Sequence, residues 1–290
     1  MVPDGADGSS RQFFRGNRDH PCDKTIVVVS DPSVRASAAL RNLPPFPLVA
    51  AKVNELLSKE PTSFQDVAEL LESDAALSAE VLGLANSALI SARYGVNSVL
   101  HALALLGSRR VATLVMTLAL SKLLKQAGKT EALRRMWRHN LATALAMRQL
   151  AEARHRDASQ AYYAGLFHDI GRLALLLQDP EFYDRALANP GVDLDDMERE
   201  RFGVNHGEAG VWVVEKWKLP DEFLEVVLDH HHPKSEATEL TRLVHEACQV
   251  ADRLGFSILP TESQEELGPA DEMGFSIALA VNSLESELGL

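Results

Sequence analysis

The chain has 290 residues, 46% of them hydrophobic and 24% charged, which is ordinary globular usage with enough apolar side chains for one large core or two small ones. Against 29 Lys and Arg stand 41 Asp and Glu, a formal charge of −12 that argues against non-specific binding to DNA, RNA or an anionic membrane. Two cysteines, Cys22 and Cys248, cannot build a disulfide framework and fit a reducing, cytoplasmic location.

Residues 1–36 read as a leader, disordered in large part: up to about residue 24 they are rich in Gly, Asp, Ser, Arg and Asn. The run at 25–30 (TIVVVS) is the one β-like segment. From Ser37 onward the pattern is helical. A rigid Leu43-Pro44-Pro45-Phe46-Pro47 loop leads into apolar residues at helical spacing, Leu48, Val49, Val53, Leu56 and Leu57. Ser63 with Asp66 resembles a capping box for a helix over 64–72, and Ser73-Asp74 opens the next, running to Asn86. Ser98 starts another, which Gly107 ends, and Ser108 opens an apolar helix to about Lys125. Its stretch 111–124 is interrupted by Lys122 and follows Arg109-Arg110, so it is too short and too charged to span a bilayer and predicts a buried core helix. Further helices are expected near 131–154, 160–177, 180–188, 206–218, 221–231 and 238–254, with one more over about 272–288. Asn205 with Glu208 reads as a capping box that puts His206 in the first turn of its helix. Cys248, inside an apolar helical pattern, reads as a small packed hydrophobe.

Among ten histidines, the placement of a few is informative. His139, His168, Asp169, His206, His230, His231 and Asp252 are imidazoles and carboxylates on predicted helices, elements rigid enough to hold a metal site. Imidazole nitrogen and carboxylate oxygen suit divalent iron, manganese, zinc or nickel, and a set so rich in nitrogen is wrong for calcium. An Asp beside a His can bridge two ions while the His binds one. The bland reading is a set of helix-terminal and surface histidines: His206 as a first-turn residue, and His230-His231-His232 as a trio favoured by the helix dipole. For His20, His101, His155, His232 and His245 that reading is preferred. Spacing alone leaves both open.

Phe167-His168-Asp169-Ile170-Gly171-Arg172-Leu173 looks like the HDIG motif of the HD superfamily of metal-dependent phosphohydrolases. The superfamily order of a His, the His-Asp doublet and a late Asp is met by His139, His168-Asp169 and Asp252, while His206 and the pair His230-His231 match the further histidines of its HD-GYP branch. Other segments are more particular: Leu43-Pro44-Pro45-Phe46-Pro47, Glu72-Ser73-Asp74-Ala75-Ala76-Leu77, Leu84-Ala85-Asn86-Ser87-Ala88, Phe202-Gly203-Val204-Asn205-His206, Trp217-Lys218-Leu219-Pro220 and His230-His231-His232-Pro233. Together they resemble the HDOD family, the HD-related output domains of bacterial signal transduction, over 37–255.

That resemblance implies an all-α, multi-helical HD-like fold in two helical lobes, 37–127 and 130–255, followed by a C-terminal extension over 256–290 with a helix in it. It implies metal ligation by the seven residues, with one or two divalent transition-metal ions, iron or manganese favoured over zinc or nickel. Two departures weigh against cyclic-dinucleotide hydrolysis: no GYP triplet follows His231, and Arg172 stands where active phosphodiesterases carry Lys. The implied function is a metal-binding regulatory module for signalling proteins or a small nucleotide-like ligand, with no nucleic acid or membrane as partner. The alternative is a metal-dependent phosphohydrolase in which Asp169 and Arg172 are catalytic.

Overall fold

A computed structural model describes residues 40–57, 63–87, 95–188, 193–259 and 272–289. The leader and the β-like run at 25–30 lie outside the described residues. Those residues form an all-α fold without a strand. Its first helices start where local chemistry says they should. Ser63 Oγ accepts from Asp66 N ahead of α2 (Phe64–Glu72), and Asp74 from Leu77 N ahead of α3 (Ala75–Ala85). Ser98 does the same from His101 N ahead of α4 (Val99–Leu106), each cap satisfying one of the orphan donors of a first turn. The helices α1 (Leu48–Leu57), α3 and α4 pack on α5 (Ser108–Ala127), and α2 packs on those three. The α5 core includes Val111, Val115, Leu118, Leu120 and Leu124. No helix among the described residues is long and apolar enough to cross a membrane.

A second long helix, α6 (Glu131–Ala153), runs through the other half and packs against α7 (Ala158–Phe167), α13 (Glu239–Ala251) and α14 (Glu272–Leu288). The last of these turns Ile277, Val281 and Leu284 inward. Its Glu285 pairs with Arg134 and Arg138 of α6, so the C-terminal helix is part of the common core rather than an appendage. The proline loop reaches across as well. Phe46 stacks edge-on against Phe167 at 6.0 Å between ring centroids and lies 5.2 Å from the Trp217 ring, whose Nε1–H donates to Pro44 O at 3.1 Å.

The sequence suggested one helix over 160–177, whereas the chain breaks at the His-Asp doublet. Helix α7 ends at Phe167, Asp169 leaves the helical region (φ −102°, ψ 19°), and α8 (Ile170–Leu176) resumes in a new direction. The turn lays Gly171 directly on α11 (His206–Trp217): a Cβ there would sit 1.8 Å from His206 O and 2.5 Å from Gly210 N. Glycine is required for that approach. Between them lie α9 (Pro180–Leu187) and α10 (Leu194–Phe202), the latter absent from the expected elements. The expected helix at 221–231 is shorter, α12 (Phe223–Asp229), and α13 ends in a π-helical turn, Asp252–Phe256, with Gly255 at φ 82°.

A methyl group at Gly171 has only backbone to push against, so Gly171→Ala should lose about 3 kcal/mol or more of stability. Gly83, inside α3 with open space around its Cβ position, is the control: Gly83→Ala should gain about 0.5–1 kcal/mol. Urea unfolding midpoints of both variants check the pair.

Candidate metal centre

Six helices deliver polar side chains to one buried place. Helix α6 supplies His139, the end of α7 His168, the break Asp169, α8 Arg172, the first turn of α11 His206, the end of α12 His230 and His231, and α13 Cys248. His139, His168, Asp169, Arg172, His206 and His230 are buried, and Asp169 has no exposed surface. Burial of that many polar groups is tolerable only if each finds a partner.

The outer ring nitrogens do find partners. The Nδ1–H of His168 donates to Gly165 O at 2.7 Å, that of His139 to Phe256 O at 3.0 Å, and that of His230 to Val226 O at 3.0 Å. His206 Nδ1–H donates to Glu198 Oε2 at 2.8 Å. A carbonyl or carboxylate oxygen can only accept, so in their neutral forms all four rings turn an Nε2 lone pair inward. There those lone pairs meet other acceptors. His139 Nε2 and His168 Nε2 are 3.2 Å apart, and Asp169 Oδ1 lies 3.4 Å from His206 Nε2 and 3.3 Å from His230 Nε2. Asp169 Oδ1 and His230 Nε2 are buried with no hydrogen-bond partner. Burial pushes the His168 and His230 pKa values below the ordinary imidazole range, so neither ring supplies a second proton.

Arg172 is the one cation within the cluster among the described residues that is always charged. Its Nη1 donates to Asp169 Oδ2 at 2.5 Å and its Nη2 to His231 Nε2 at 3.2 Å, while Nε faces Glu198 Oε1 at 3.4 Å. Burial alone would raise the Asp169 pKa, but Arg172, His168 and His206 hold the carboxyl well below its usual range. Burial and Arg172 push His206 down, yet Glu198 and Asp169 prevail and its pKa rises to about 9.

Glu198, on the helix that was not expected, was missed as a functional residue. It is fully buried, accepts from the His206 backbone N at 2.7 Å as well as from its ring, and accepts from Tyr183 Oη at 2.9 Å. Asp195, one turn earlier, lies 3.2 Å from His206 Nδ1. The available signal was a capped, dipole-matched helix: Asp193 accepting from Asp195 N and Asp196 N, acids in the first turn, Arg199 and Arg201 in the last, and Gly203 at φ 76°.

Asp252 requires a correction. Its Oδ1 lies 3.4 Å from His139 Nδ1, on the outer edge of the ring, and its side chain is 45% exposed. The residue facing His139 Nε2 is Cys248, one helical turn earlier, with Sγ at 3.4 Å. Cys248 is packed in the core, as its apolar pattern suggested, and its Sγ also meets this ring. Of the histidines read as bland, His245 Nδ1–H supports the site from behind by donating to His230 O at 2.8 Å, and His101 pairs with Asn97; His20 lies outside the described residues.

Two ligand groups result, each with its donor atoms within 4.8 Å of one another: Asp169, His206, His230 and His231, and His139, His168 and Cys248. Converging lone pairs held by hydrogen bonds on the far nitrogens are what a divalent ion needs, and orphaned Asp169 Oδ1 and His230 Nε2 fit one.

A helical fold wrapped around a His-Asp doublet defines an HD-type domain. The chain belongs to the HDOD domain family, which it matches over residues 43–233. Among solved structures it is similar to an HDOD domain protein of unknown function from Geobacter sulfurreducens, at 24% identity and TM-score 0.68, over 89% of this chain and 97% of that one. It is also similar to a candidate phosphohydrolase from Shewanella amazonensis SB2B, at 25% identity and TM-score 0.63, over 87% and 93%. An uncharacterized protein of Treponema pallidum is 22% identical over 200 residues, which are 66% of this chain but only 38% of that relative.

Because Glu198 fixes the His206 tautomer, Glu198→Gln should weaken metal binding by about 10–100-fold, measured by competition with a chromophoric chelator. In the metal-free protein His206 has a folded pKa raised to about 9 from 6.5. Its contribution to stability is therefore complete below about pH 6.5 and is lost as pH rises through about 9. Histidine NMR titration should show that high pKa, lowered in Glu198→Gln.

Proposed function

We propose that this HDOD protein is a cytoplasmic regulatory module that holds a divalent transition metal and serves a signalling partner or a small nucleotide-like ligand without strong catalysis. Asp169 Oδ1, His206 and His230 would hold the ion, with His231 beside them; iron and manganese suit this oxygen- and nitrogen-donor set, as do zinc and nickel. Support for the weak-catalysis part comes from one observation: the buried guanidinium of Arg172 is already seated on Asp169 Oδ2 and His231 Nε2. A two-ion hydrolytic centre needs both carboxylate oxygens of a bridging Asp for metal, and Arg172 holds one of them. Arg172, unlike a lysine, cannot release that oxygen by losing its proton. Access is narrow too, since solvent reaches the cluster at the partly exposed His231 and Asp195 while the remaining donors are sealed.

A second reading is favoured by the similarity to the candidate phosphohydrolase. In it the bound ion would supply Lewis-acid activation of water. Asp169 would hold that ion, and Arg172 would orient a phosphoryl oxygen through its fork of donors.

Loaded in turn with iron, manganese, zinc and nickel, the protein is expected to bind metal by elemental analysis yet show little or no hydrolysis of cyclic dinucleotides by chromatography. Robust turnover that disappears in Asp169→Ala would establish the second reading instead.

A further inference from the structure

Away from the metal centre, another part of the molecule gathers positive charge without the carboxylates to balance it. A cavity of about 680 Å³ opens where the turn at Gly107, between α4 and α5, meets the C-terminal half of α6 and the start of α7. Three arginines line it, Arg109 and Arg110 from the first turn of α5 and Arg148 from α6. Nearby acids do not neutralise them. Asp157 Oδ1 is taken up in capping α7, accepting from Ser159 N at 2.9 Å and Gln160 N at 3.1 Å, and its Oδ2 is 3.9 Å from Arg109, whose side chain is 73% exposed. An exposed pair at that distance contributes little. Glu152 is the one acid among the lining residues, and neither Arg110 nor Arg148 has an ion-pair partner among the described residues. In a chain with 41 acids against 29 bases, three arginines sharing one cavity are held together against their mutual repulsion. Gly107 has no side chain with which to cap α5, so the open N–H groups of that first turn add to the positive potential.

We propose that this cavity binds a small phosphorylated molecule, gripped by the guanidinium groups of Arg110 and Arg148 with Arg109 at the rim. Guanidinium forks match phosphate oxygens two by two, and two of them arriving from different helices suit an anion with more than one charge. The volume lies within the range of small-ligand sites, about 300–1,000 Å³, and exceeds what a single phosphate fills. Leu106 and Leu114 on the wall give an uncharged body something to pack on. A polyanionic surface such as nucleic acid or membrane is disfavoured, because the net charge of −12 repels it while an enclosed basic cavity admits a small anion. No lining residue belongs to the metal centre, so the failure of either site leaves the other standing.

Isothermal titration calorimetry of the full-length protein with inorganic pyrophosphate tests it. The protein is metal-free, so that no ion competes for the probe, and ionic strength is about 0.15 M, which screens loose surface attraction. Saturable one-to-one binding is expected, weakened about tenfold or more by Arg110→Ala and by Arg148→Ala. Lys52→Ala, which removes a positive charge outside the cavity, should leave it unchanged. Arg110 is exposed, so its variant decides the matter should Arg148→Ala fold poorly. Absence of saturable binding overturns the proposal. So does binding that ignores both arginines but is lost in Arg172→Gln, which would put the anion at the metal centre. Sedimentation with phosphatidylglycerol vesicles separates a soluble ligand from a lipid headgroup: no co-sedimentation is expected, and vesicle binding through Arg110 and Arg148 without pyrophosphate binding overturns the small-molecule site.

Discussion

The carboxylate of Asp169 is completely buried, and an isolated ion there would be prohibitively costly. Its two oxygens divide the problem. Oδ2 is neutralised by Arg172, itself a buried charge that needs further compensation. Glu198 provides it from the other side and is in turn held by Tyr183 and His206. Each member of this chain of charges is stable because the next one is present, so removing one partner strands another, at about 3–5 kcal/mol for a broken buried pair. Oδ1 has no hydrogen-bond partner and faces the Nε2 atoms of His206 at 3.4 Å and of His230 at 3.3 Å. The same carboxylate therefore anchors the fold with one atom and offers the other as a ligand.

That division explains the backbone around it. For Asp169 to face α11 and α12 together, the chain must leave α7 at His168 and resume as α8 pressed against α11. Gly171 makes the approach possible, because contact is with backbone and nothing but hydrogen fits. The capping box of Asn205 and Glu208 then fixes where α11 begins, which sets the height of His206 against Asp169. Motif and cap are separated in sequence, yet both serve one contact.

Much of this was legible in the residues. Caps at Ser63, Asp74, Ser98 and Asn205 are local chemistry, and the helices they open lie where the pattern placed them. The doublet and the three histidines His206, His230 and His231 stood out by type. What was not legible was tertiary. Helix α10 reads LDDMERERF, with too few apolar residues to form a stripe, and Glu198 is buried because of what packs over it rather than by any local pattern. Asp252 and Cys248 are four residues apart on one face of a helix. Sequence cannot say which turn meets His139, and residue type pointed to the carboxylate. The neighbouring thiol is nearer the imidazole lone pairs because the chain loosens into a π turn at Asp252, carrying that residue towards solvent.

The cluster is also tied to the far half of the molecule. Phe46, from the proline loop, packs on Phe167, the residue immediately before His168, and on Trp217 at the end of α11, the helix that starts with His206. One aromatic side chain thus touches the ends of two ligand-bearing elements. A close-packed contact of this kind transmits displacement rather than absorbing it, since interiors have little free volume. A ligand or metal that drew His168 and His206 together would load Phe46, and a partner that shifted the proline loop would load the two histidines in return, because coupling between binding events is reciprocal. The Phe46 contact with Phe167 and Trp217 thus joins the proline loop to two of the elements that carry the cluster.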